Sequence, residues 1–191
     1  MSPKPLLKIK AATAAEICGR FDLKKEARML LRDGTMAPRE FVNALAANKQ
    51  YITGIDFVAH ALPSRESIWW GCLCLQHACG DALAGNDRAA CKAAVQWVLA
   101  PSESAREAAT APAQAAGLAS PAGALAAAVA QTGGNIAPPG APPMAPPPYA
   151  PAKAVANAVK LASTKRDPVK IVETHRLFLE LGLGVAEGRF L

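Results

Sequence analysis

The sequence predicts an all-α protein: a single-domain helical bundle or helical-hairpin array of about eight helices that carries an extended proline-rich arm. Apolar residues make up 51% of the chain, and most of them are alanine and leucine, both strong helix formers. Apolar residues recur with helical spacing along most of the chain, and no segment alternates as a half-buried strand does. Eight of the 16 prolines lie between Pro138 and Pro151, a stretch that we expect to be extended rather than helical.

The domain organisation follows from where these patterns begin and end. We expect residues 1–12 to be a flexible N-terminal arm and residues 13–191 to be one helical domain. Within that domain, residues 132–151 form the Gly/Pro-rich arm, which packs on or links to the C-terminal helices. A chain of 191 residues is long enough for one well-buried core with such an appendage.

The first helices are predicted from their start signals. Thr13 and Glu16 form the Thr-x-x-Glu pattern of a capping box, which predicts a short helix. Asp22 is the expected N-cap of a second helix that reaches Leu31, because a stripe of apolar residues follows it. Pro38 suits the first turn of a third helix, since that position needs no backbone N–H.

The most apolar segment of the chain is predicted to be the central core helix. A fourth helix over 52–62 ends at Pro63. Ser64 is the expected N-cap of the next helix, at 65–79. No polar stripe interrupts residues 68–75 of that helix. Because a helix that is apolar all round is buried, we place it at the centre of the fold.

Further helices are expected in the second half of the chain, most of them with a local start signal. Polar cap residues, some followed by a proline in the first turn, mark these starts: Asn86, Ser102, Ser120 with Pro121, and Asp167 with Pro168. The expected helices cover about 86–98, 103–115, 121–131, 152–163 and 167–181.

The proline-rich arm is the candidate interaction segment. It combines a Gly-Gly-Asn turn signal with apolar residues spaced along an extended, polyproline II backbone. The candidate interaction residues are Gly133, Gly134, Asn135, Pro138, Pro139, Met144 and Tyr149. Residues 146–149 also fit a Pro-Pro-x-Tyr peptide ligand. Three interpretations stay open: a belt across the protein's own helices, a disordered linker, or a peptide ligand for a partner.

The net charge of +6 is concentrated at the two ends of the chain. Residues 1–50 carry ten Lys/Arg against five Asp/Glu, and residues 151–191 carry seven against four. A basic surface favours acidic partners, including nucleic acid. The aromatic residues that would stack on bases lie instead in apolar helices. We therefore expect the partner to be another protein rather than nucleic acid.

Cysteine usage and the length of apolar runs predict a cytoplasmic protein. The five cysteines, an odd number, argue against a disulfide framework. The longest weakly apolar run, 123–130, is shorter than the roughly 20 apolar residues that a membrane span needs. The first residues lack the apolar core of a signal peptide. We expect no membrane span.

One cluster has the residue types of a zinc site or a thiol enzyme: Cys72-x-Cys74-x-x-His77-x-Cys79. On one helix the first and last of these lie on one face and the middle two on another, which is a poor geometry for four converging ligands. A thiol nucleophile would need a base such as His60, which we interpret as a core or boundary residue. The chain has no P-loop, Gly-x-Gly-x-x-Gly or His-Glu-x-x-His pattern. We expect no catalytic residue, no metal and no cofactor.

Three stretches together resemble an uncharacterised family of bacterial proteins, known only as a domain of unknown function. The stretches are Phe57–Pro63 running on to Ile68-Trp69-Trp70, Gly133-Gly134 through the Pro-Pro repeats to Tyr149, and Phe178–Ala186 with its Phe-Leu-x-Leu-Gly motif. The resemblance covers about residues 20–190 and implies one helical, cytoplasmic unit without catalytic residues. Proteins of this kind are loosely associated with gene neighbourhoods of contractile (type VI) secretion.

The function we expect is that of a non-catalytic protein-interaction module. Such a protein would be an adaptor, accessory factor or chaperone of a multi-protein machine, with type VI secretion as the candidate machine. The lack of convergent polar motifs is typical of protein binding rather than catalysis. Two alternatives stay open: a nucleic-acid-associated protein that uses the basic ends, and a cysteine- or zinc-dependent enzyme around Cys72, Cys74, His77 and Cys79.

Overall fold

The alanine- and leucine-rich segments form helices. The computed structural model describes residues 4–32, 34–137 and 140–190, and in these ranges every regular element is helical. The α-helices are α1 (Ala14–Cys18), α2 (Lys25–Arg28), α3 (Pro38–Ala47), α4 (Tyr51–Ala61), α5 (Ser64–Cys79), α6 (Gly85–Leu99), α7 (Glu103–Ala108), α8 (Thr110–Ala116), α9 (Pro121–Ala130), α10 (Ala150–Ser163) and α11 (Ile171–Ala186). Single 3-10 turns at Gly80–Ala82 and Pro168–Lys170 precede α6 and α11. The predicted all-α class is confirmed.

The described residues form eleven α-helices rather than about eight, because several segments are short. The predicted helix at 103–115 is divided at Ala109 into α7 and α8. Pro112 has no N–H to donate to the Ala108 carbonyl, and its ring would collide with that carbonyl in a continuous helix. Within the described ranges, none of the helices combines the length and apolarity required to cross a lipid bilayer.

Several local start signals are confirmed. Thr13 and Glu16 form the full capping box at α1, since the Thr13 side chain accepts from the Glu16 N–H and the Glu16 carboxylate accepts from the Thr13 N–H. Pro38 is the first residue of α3. Ser120 Oγ accepts from the Ala122 N–H at 3.2 Å and so caps α9. These signals are readable from sequence because the cap side chain and the N–H group that donates to it are only two or three residues apart.

Two predicted N-caps are wrong. Asp22 lies outside α2, whose N-cap position belongs to Lys24 and has no side-chain hydrogen bond. Asn86 lies inside α6, and its Nδ2 donates to the Ala115 carbonyl at 2.9 Å instead of capping its own helix. In the second case, a polar side chain near a helix start finds its partner on a neighbouring element, which a local pattern cannot anticipate.

Two further caps differ from prediction because of proline geometry. Leu62 precedes a proline and is extended, as such residues usually are. Pro63 is extended too, with ψ 156°, so it takes the N-cap position and Ser64 becomes the first residue of α5. Asp167 accepts from the Val169 N–H at 3.0 Å, but it caps the 3-10 turn that leads into α11 rather than the helix itself.

The predicted central helix is central but is not buried all round. α5 packs against α6, α9, α10 and α11, and Ile68, Trp70 and Cys74 are fully buried. Gln76 and His77 near its end are exposed. The most completely buried helix is α9, with nine of its ten residues inaccessible. Its small alanine side chains allow α6, α8 and α10 to approach it closely.

Residues 4–12, part of the predicted flexible arm, lie against the C-terminal helix. The Lys8 N–H donates to the Ala186 carbonyl at 2.9 Å. Ala11 is buried against the core. Residues 1–3 of that predicted arm lie outside the described residues.

The corner between α4 and α5 is held firmly by the C-terminal helix. α4 packs against α3, α10 and α11. Trp70 Nε1 on α5 donates to the Phe178 carbonyl of α11 at 2.8 Å. Gly182 permits this close approach, since a Cβ there would collide with Val58 and press on Trp70. The corner is thereby fixed beside the start of α10.

Candidate functional site

A groove lies where the α4–α5 corner meets the turn after α9 and the start of α10. Its volume is about 480 Å³. We call it the His60 groove, and its lining residues are Arg20, Ala59, His60, Leu62, Pro63, Ser64, Ser67, Gln131, Thr132, Gly133, Pro146, Pro147, Tyr149, Pro151 and Ala152. Four separate stretches of the sequence contribute to this surface.

His60 is the central polar group of the groove. It lies in the last turn of α4 and is only 3% exposed. Its Nδ1 is 2.7 Å from the Asp56 carbonyl, which can only accept, so Nδ1 carries the proton. The lone pair is then on Nε2, which is buried and has no hydrogen-bond partner among the described residues. Burial lowers the pKa of His60 below its ordinary value and keeps the ring neutral near pH 7.

Aromatic rings and one guanidinium enclose the imidazole. Phe21 stacks on it with ring centroids 5.0 Å apart, and the Tyr149 ring lies 6.1 Å away on a tilted plane. Arg20 Nη1 donates to the His60 carbonyl at 2.8 Å, and its guanidinium carbon lies 5.8 Å from the Tyr149 ring centroid. The loop before α2 is thereby connected to both the end of α4 and the start of α10.

Tyr149 adopts a backbone conformation that is unusual for a bulky residue. Its φ is 58° and its ψ is 16°, in the left-handed region. Such a conformation costs on the order of 1–3 kcal/mol and persists only where the surroundings enforce it. Here the next residue, Ala150, is buried, and its N–H donates to the Pro147 carbonyl at 3.1 Å. The strained turn holds the Tyr149 ring over the groove.

The N-terminus of α5 faces the groove with free donors. Its N-cap, Pro63, provides no side-chain hydrogen bond to the first turn. Ser64 and Ser67 line the groove, and Ser67 Oγ donates to the Ala59 carbonyl at 3.2 Å. A helix N-terminus carries partial positive charge and attracts oxygen acceptors. The described lining residues include Arg20 but neither aspartate nor glutamate, so no carboxylate there opposes this attraction.

The predicted interaction residues divide between the groove and an adjoining loop. Gly133 and Tyr149 line the groove. Asn135 and Met144 belong to the adjoining loop, Gly134 directly precedes it, and Pro138 and Pro139 lie outside the described residues. Gly134 has φ 69° and lies against the Arg106 guanidinium, where a Cβ would collide. Arg106 in turn donates to the Ala130 carbonyl at 2.9 Å, which fixes the turn to the end of α9.

Asn135 closes the adjoining loop, residues 135–144, which we call the arm loop. Its Oδ1 accepts from the Ala137 N–H at 3.0 Å and from the Met144 N–H at 2.7 Å. The Ile136 N–H donates to the Met144 carbonyl at 2.9 Å across the loop base. Of the apolar residues spaced along the proline-rich arm, Met144 is 58% exposed, Tyr149 46% and Ile136 36%. Within the described part of the arm loop, Ile136 and Met144 are therefore partly or largely exposed to solvent.

The four residues of the cysteine cluster do not come together. Cys72 and Cys74 are buried in the core, His77 is exposed, and Cys79 is half-buried. Burial raises the pKa of both buried thiols well above the ordinary value, so they stay protonated. Nowhere in the described ranges do three His, Cys, Asp or Glu side chains lie close enough together to hold a metal ion.

Sequence reasoning missed the groove itself. We interpreted His60 as a core or boundary residue, and it is buried, but its Nε2 is unpaired. Arg20 carried no signal at all, because its contact with His60 joins residues 40 positions apart. The one available hint was a histidine in the last helical turn before a Leu-Pro corner.

Comparison with known proteins gives one match. The chain belongs to a family of unknown function, DUF6931, whose family model matches residues 41–186. This range contains most of the His60 groove, the arm loop and the cysteine cluster, whereas Arg20 and Phe21 lie outside it. Neither the curated proteins nor the solved structures include a significant match to the chain.

Proposed function

We propose that this member of the family is a non-catalytic protein-interaction module that works in the cytoplasm as an adaptor, accessory factor or chaperone of a multi-protein machine. The observation that carries the proposal is the arm loop. A loop closed by its own hydrogen bonds displays Met144 and Ile136 to solvent beside a groove. Exposed apolar side chains on a pre-organised loop are typical of surfaces that bind another protein.

Type VI secretion is the machine we propose for this role. The support is the resemblance of the Trp-Trp, Gly-Gly/Pro-rich and Phe-Leu-x-Leu-Gly stretches to bacterial proteins associated with such gene neighbourhoods. A small helical protein with an apolar loop closed by hydrogen bonds suits an accessory role in an assembly of many subunits.

The state of the cysteines supports a non-catalytic role. A thiolate, not a thiol, is the nucleophile and the metal ligand in cysteine chemistry. Cys72 and Cys74 are both protonated by burial, and neither lies in the groove. The serine hydroxyl of Ser67 is directed to the Ala59 carbonyl rather than to His60, so it lacks the base that would activate it.

Several basic residues near the two ends already have acidic partners, which favours a protein partner over nucleic acid. Arg39 pairs with Glu187 at 2.7 Å, and Arg189 pairs with the same carboxylate at 2.7 Å. Lys8 pairs with Glu66 at 3.5 Å. Positive charge that is neutralised within the fold contributes little to phosphate binding.

Site-specific photocross-linking in the native host tests the proposal. A photoreactive benzoylphenylalanine replaces Met144, and in a control chain it replaces Leu99, which is similarly exposed at 66% on the end of α6. We expect one discrete cross-linked protein from position 144 and none from position 99. Equal products from both positions, or no product from position 144, would overturn the proposal. Cross-links to nucleic acid at position 144 would favour the alternative partner class.

A further inference from the structure

His60, which lines the groove, has one unused hydrogen-bond acceptor that is buried in the free protein. His60 is 3% exposed, and its Nδ1–H is committed to the Asp56 carbonyl. Nε2 is therefore the ring nitrogen left with a lone pair, and it has no partner in the described residues. An unsatisfied buried acceptor costs free energy, on the order of 1–3 kcal/mol, unless a ligand or an ordered water donates to it.

The same groove is lined by the N-terminus of α5, which follows His60 closely in the sequence and has unused N–H donors. The first-turn N–H groups of α5, at residues 64–66, have no side-chain cap. The next N–H, that of Ser67, already donates to the Pro63 carbonyl at 2.8 Å. Ser64 and Ser67 both line the groove, so the free end of this 16-residue helix opens into it.

A ligand that forms hydrogen bonds with both His60 Nε2 and the first-turn N–H groups of α5 must carry a donor and an acceptor. A carboxylate or a phosphate offers only acceptors and would face the Nε2 lone pair. A metal ion would face the donors of α5. An amide carries one N–H and one carbonyl oxygen, which matches the two unused functions of the groove.

The walls of the groove suit an extended chain rather than a compact small molecule. Tyr149, Pro146 and Pro147 line it, as do Leu62 and Pro63. Aromatic and proline surfaces of this kind accept extended peptides, whose backbone amides remain free for hydrogen bonds. A volume of about 480 Å³ is enough for a few residues.

We propose that the His60 groove binds an extended peptide segment of the partner protein through its backbone amides. One peptide N–H donates to His60 Nε2, which binding must first uncover because it is buried in the free protein, and a peptide carbonyl accepts from the first turn of α5. This inference rests on the proposed function, because it assigns to the partner the segment that occupies the groove.

The charges around His60 determine how this binding depends on pH. Asp56 on its own helix favours the protonated ring, whereas Lys153 and Lys160 of α10 oppose it. The Arg20 guanidinium, whose Nη1 bonds the His60 carbonyl, is a further nearby cation. Protonation turns Nε2 from an acceptor into a donor, so peptide binding weakens in acid. A carboxylate ligand would show the opposite trend, since it would bind the imidazolium more tightly.

The test uses the full chain and two small probes. One is acetyl-trialanine N-methylamide, and the other is acetyl-trialanine with a free C-terminal carboxylate. Binding is followed by nuclear magnetic resonance through the backbone amide signals of residues 64–66, while the imidazole signals of His60 report its protonation. We expect saturable shifts with the N-methylamide at pH 7.5, weaker binding of the carboxylate probe, and severalfold weaker binding of the N-methylamide once His60 is protonated.

Two variants of His60 separate hydrogen bonding from packing. His60→Asn keeps a donor for the Asp56 carbonyl, as Asn48 Nδ2 does for the Ala44 carbonyl at 2.8 Å, but removes Nε2. We expect it to bind the N-methylamide about tenfold more weakly. His60→Gln places a carbonyl oxygen near the Nε2 position and should retain binding while abolishing its dependence on the ring's protonation. If His60→Asn does not fold, the test is whether His60→Gln binds the N-methylamide with an affinity that no longer depends on pH.

The outcomes distinguish this inference from the proposed function. Equal affinity of wild type and His60→Asn, tighter binding of the carboxylate probe, binding that strengthens in acid, or no binding of either probe would each overturn the peptide site. A position-144 cross-link that His60→Asn leaves unchanged would overturn it too, while the proposed function stands. Probe binding to the groove without any position-144 cross-link would overturn the proposed function alone.

Discussion

His60 and His175 are both nearly inaccessible to solvent, yet their ring nitrogens differ in how many hydrogen-bond partners they have. Ser163 Oγ donates to the Lys160 carbonyl at 2.7 Å, so it can accept from His175 Nε2, which lies 3.0 Å away. His60 Nε2 has no such partner in the described residues. We therefore interpret His175 as a structural residue and His60 as a residue whose Nε2 binds a ligand.

The stability of the fold should depend on pH through His175. Burial lowers its pKa, so the folded state keeps the ring neutral where the unfolded chain already takes up a proton. Above about pH 7, His175 is neutral in both the folded and the unfolded state. Below about pH 6.5, the ordinary pKa of histidine, the unfolded state binds more protons at this residue. The free energy of unfolding should fall as the pH drops from 7 to 5, by at most about 1.4 kcal/mol per pH unit for this residue.

Urea denaturation at pH 7.5 and 5.5 measures this effect. The control is His175→Gln, whose side-chain N–H can still donate to Ser163 but cannot titrate. We expect the variant to lose less stability than the wild type between the two pH values. An equal loss in both proteins would show that the protonation of His175 does not differ between the folded and unfolded states.

The residues that surround His60 mark the limit of what sequence could predict at this scale. A helical histidine among apolar residues predicts burial, and this is correct. Its contact with Arg20, 40 positions away, depends on how α1 and α4 pack, which no local pattern encodes. The left-handed Tyr149 was likewise not predictable, because bulky residues rarely adopt that conformation.

At the scale of helices, Ser120 both caps α9 and links it to α6. Its Oγ accepts from the Ala122 N–H at 3.2 Å and donates to Asp87 of α6. We expect Ser120→Ala to lower the free energy of unfolding by about 1–2 kcal/mol, since both a cap and a bond between helices are lost. Urea denaturation at pH 7.5 provides the measurement.

Ser64→Ala is the matched control for the Ser120 variant. Ser64 was predicted to be a cap, but Pro63 occupies the cap position of α5. Its replacement should change the free energy of unfolding by less than about 0.5 kcal/mol. A loss from Ser64→Ala as large as that from Ser120→Ala would mean that Ser64, rather than Pro63, caps α5.

The all-helical class and many helix boundaries were predictable from the sequence, whereas the extent to which each helix is buried was not. Caps such as Thr13 and Ser120 act over two or three residues, so their pattern is visible in the sequence. α9 is the most buried helix, yet its composition is mainly alanine, which is found both inside proteins and on exposed helices. Its place at the centre follows from the helices that surround it.

Charge and surface shape define the molecule as a whole. The net charge of +6 suggests an acidic partner when only the sequence is considered. In the fold, ion pairs such as Arg39–Glu187 and Lys160–Asp56 engage part of that charge. What remains distinctive is the arm loop, with Met144 58% exposed beside the His60 groove. The loop and the groove together are the surface that we propose binds another protein.

The measurement that tests this central claim most directly is the yield of the position-144 cross-link in variants of Asn135. Asn135→Ala removes the acceptor that closes the arm loop, whereas Asn135→Asp keeps an oxygen there for the N–H groups of Ala137 and Met144. If a pre-organised loop binds the partner, Asn135→Ala should lower the yield severalfold and Asn135→Asp should retain most of it. Equal yields in the wild type and both variants would contradict the account.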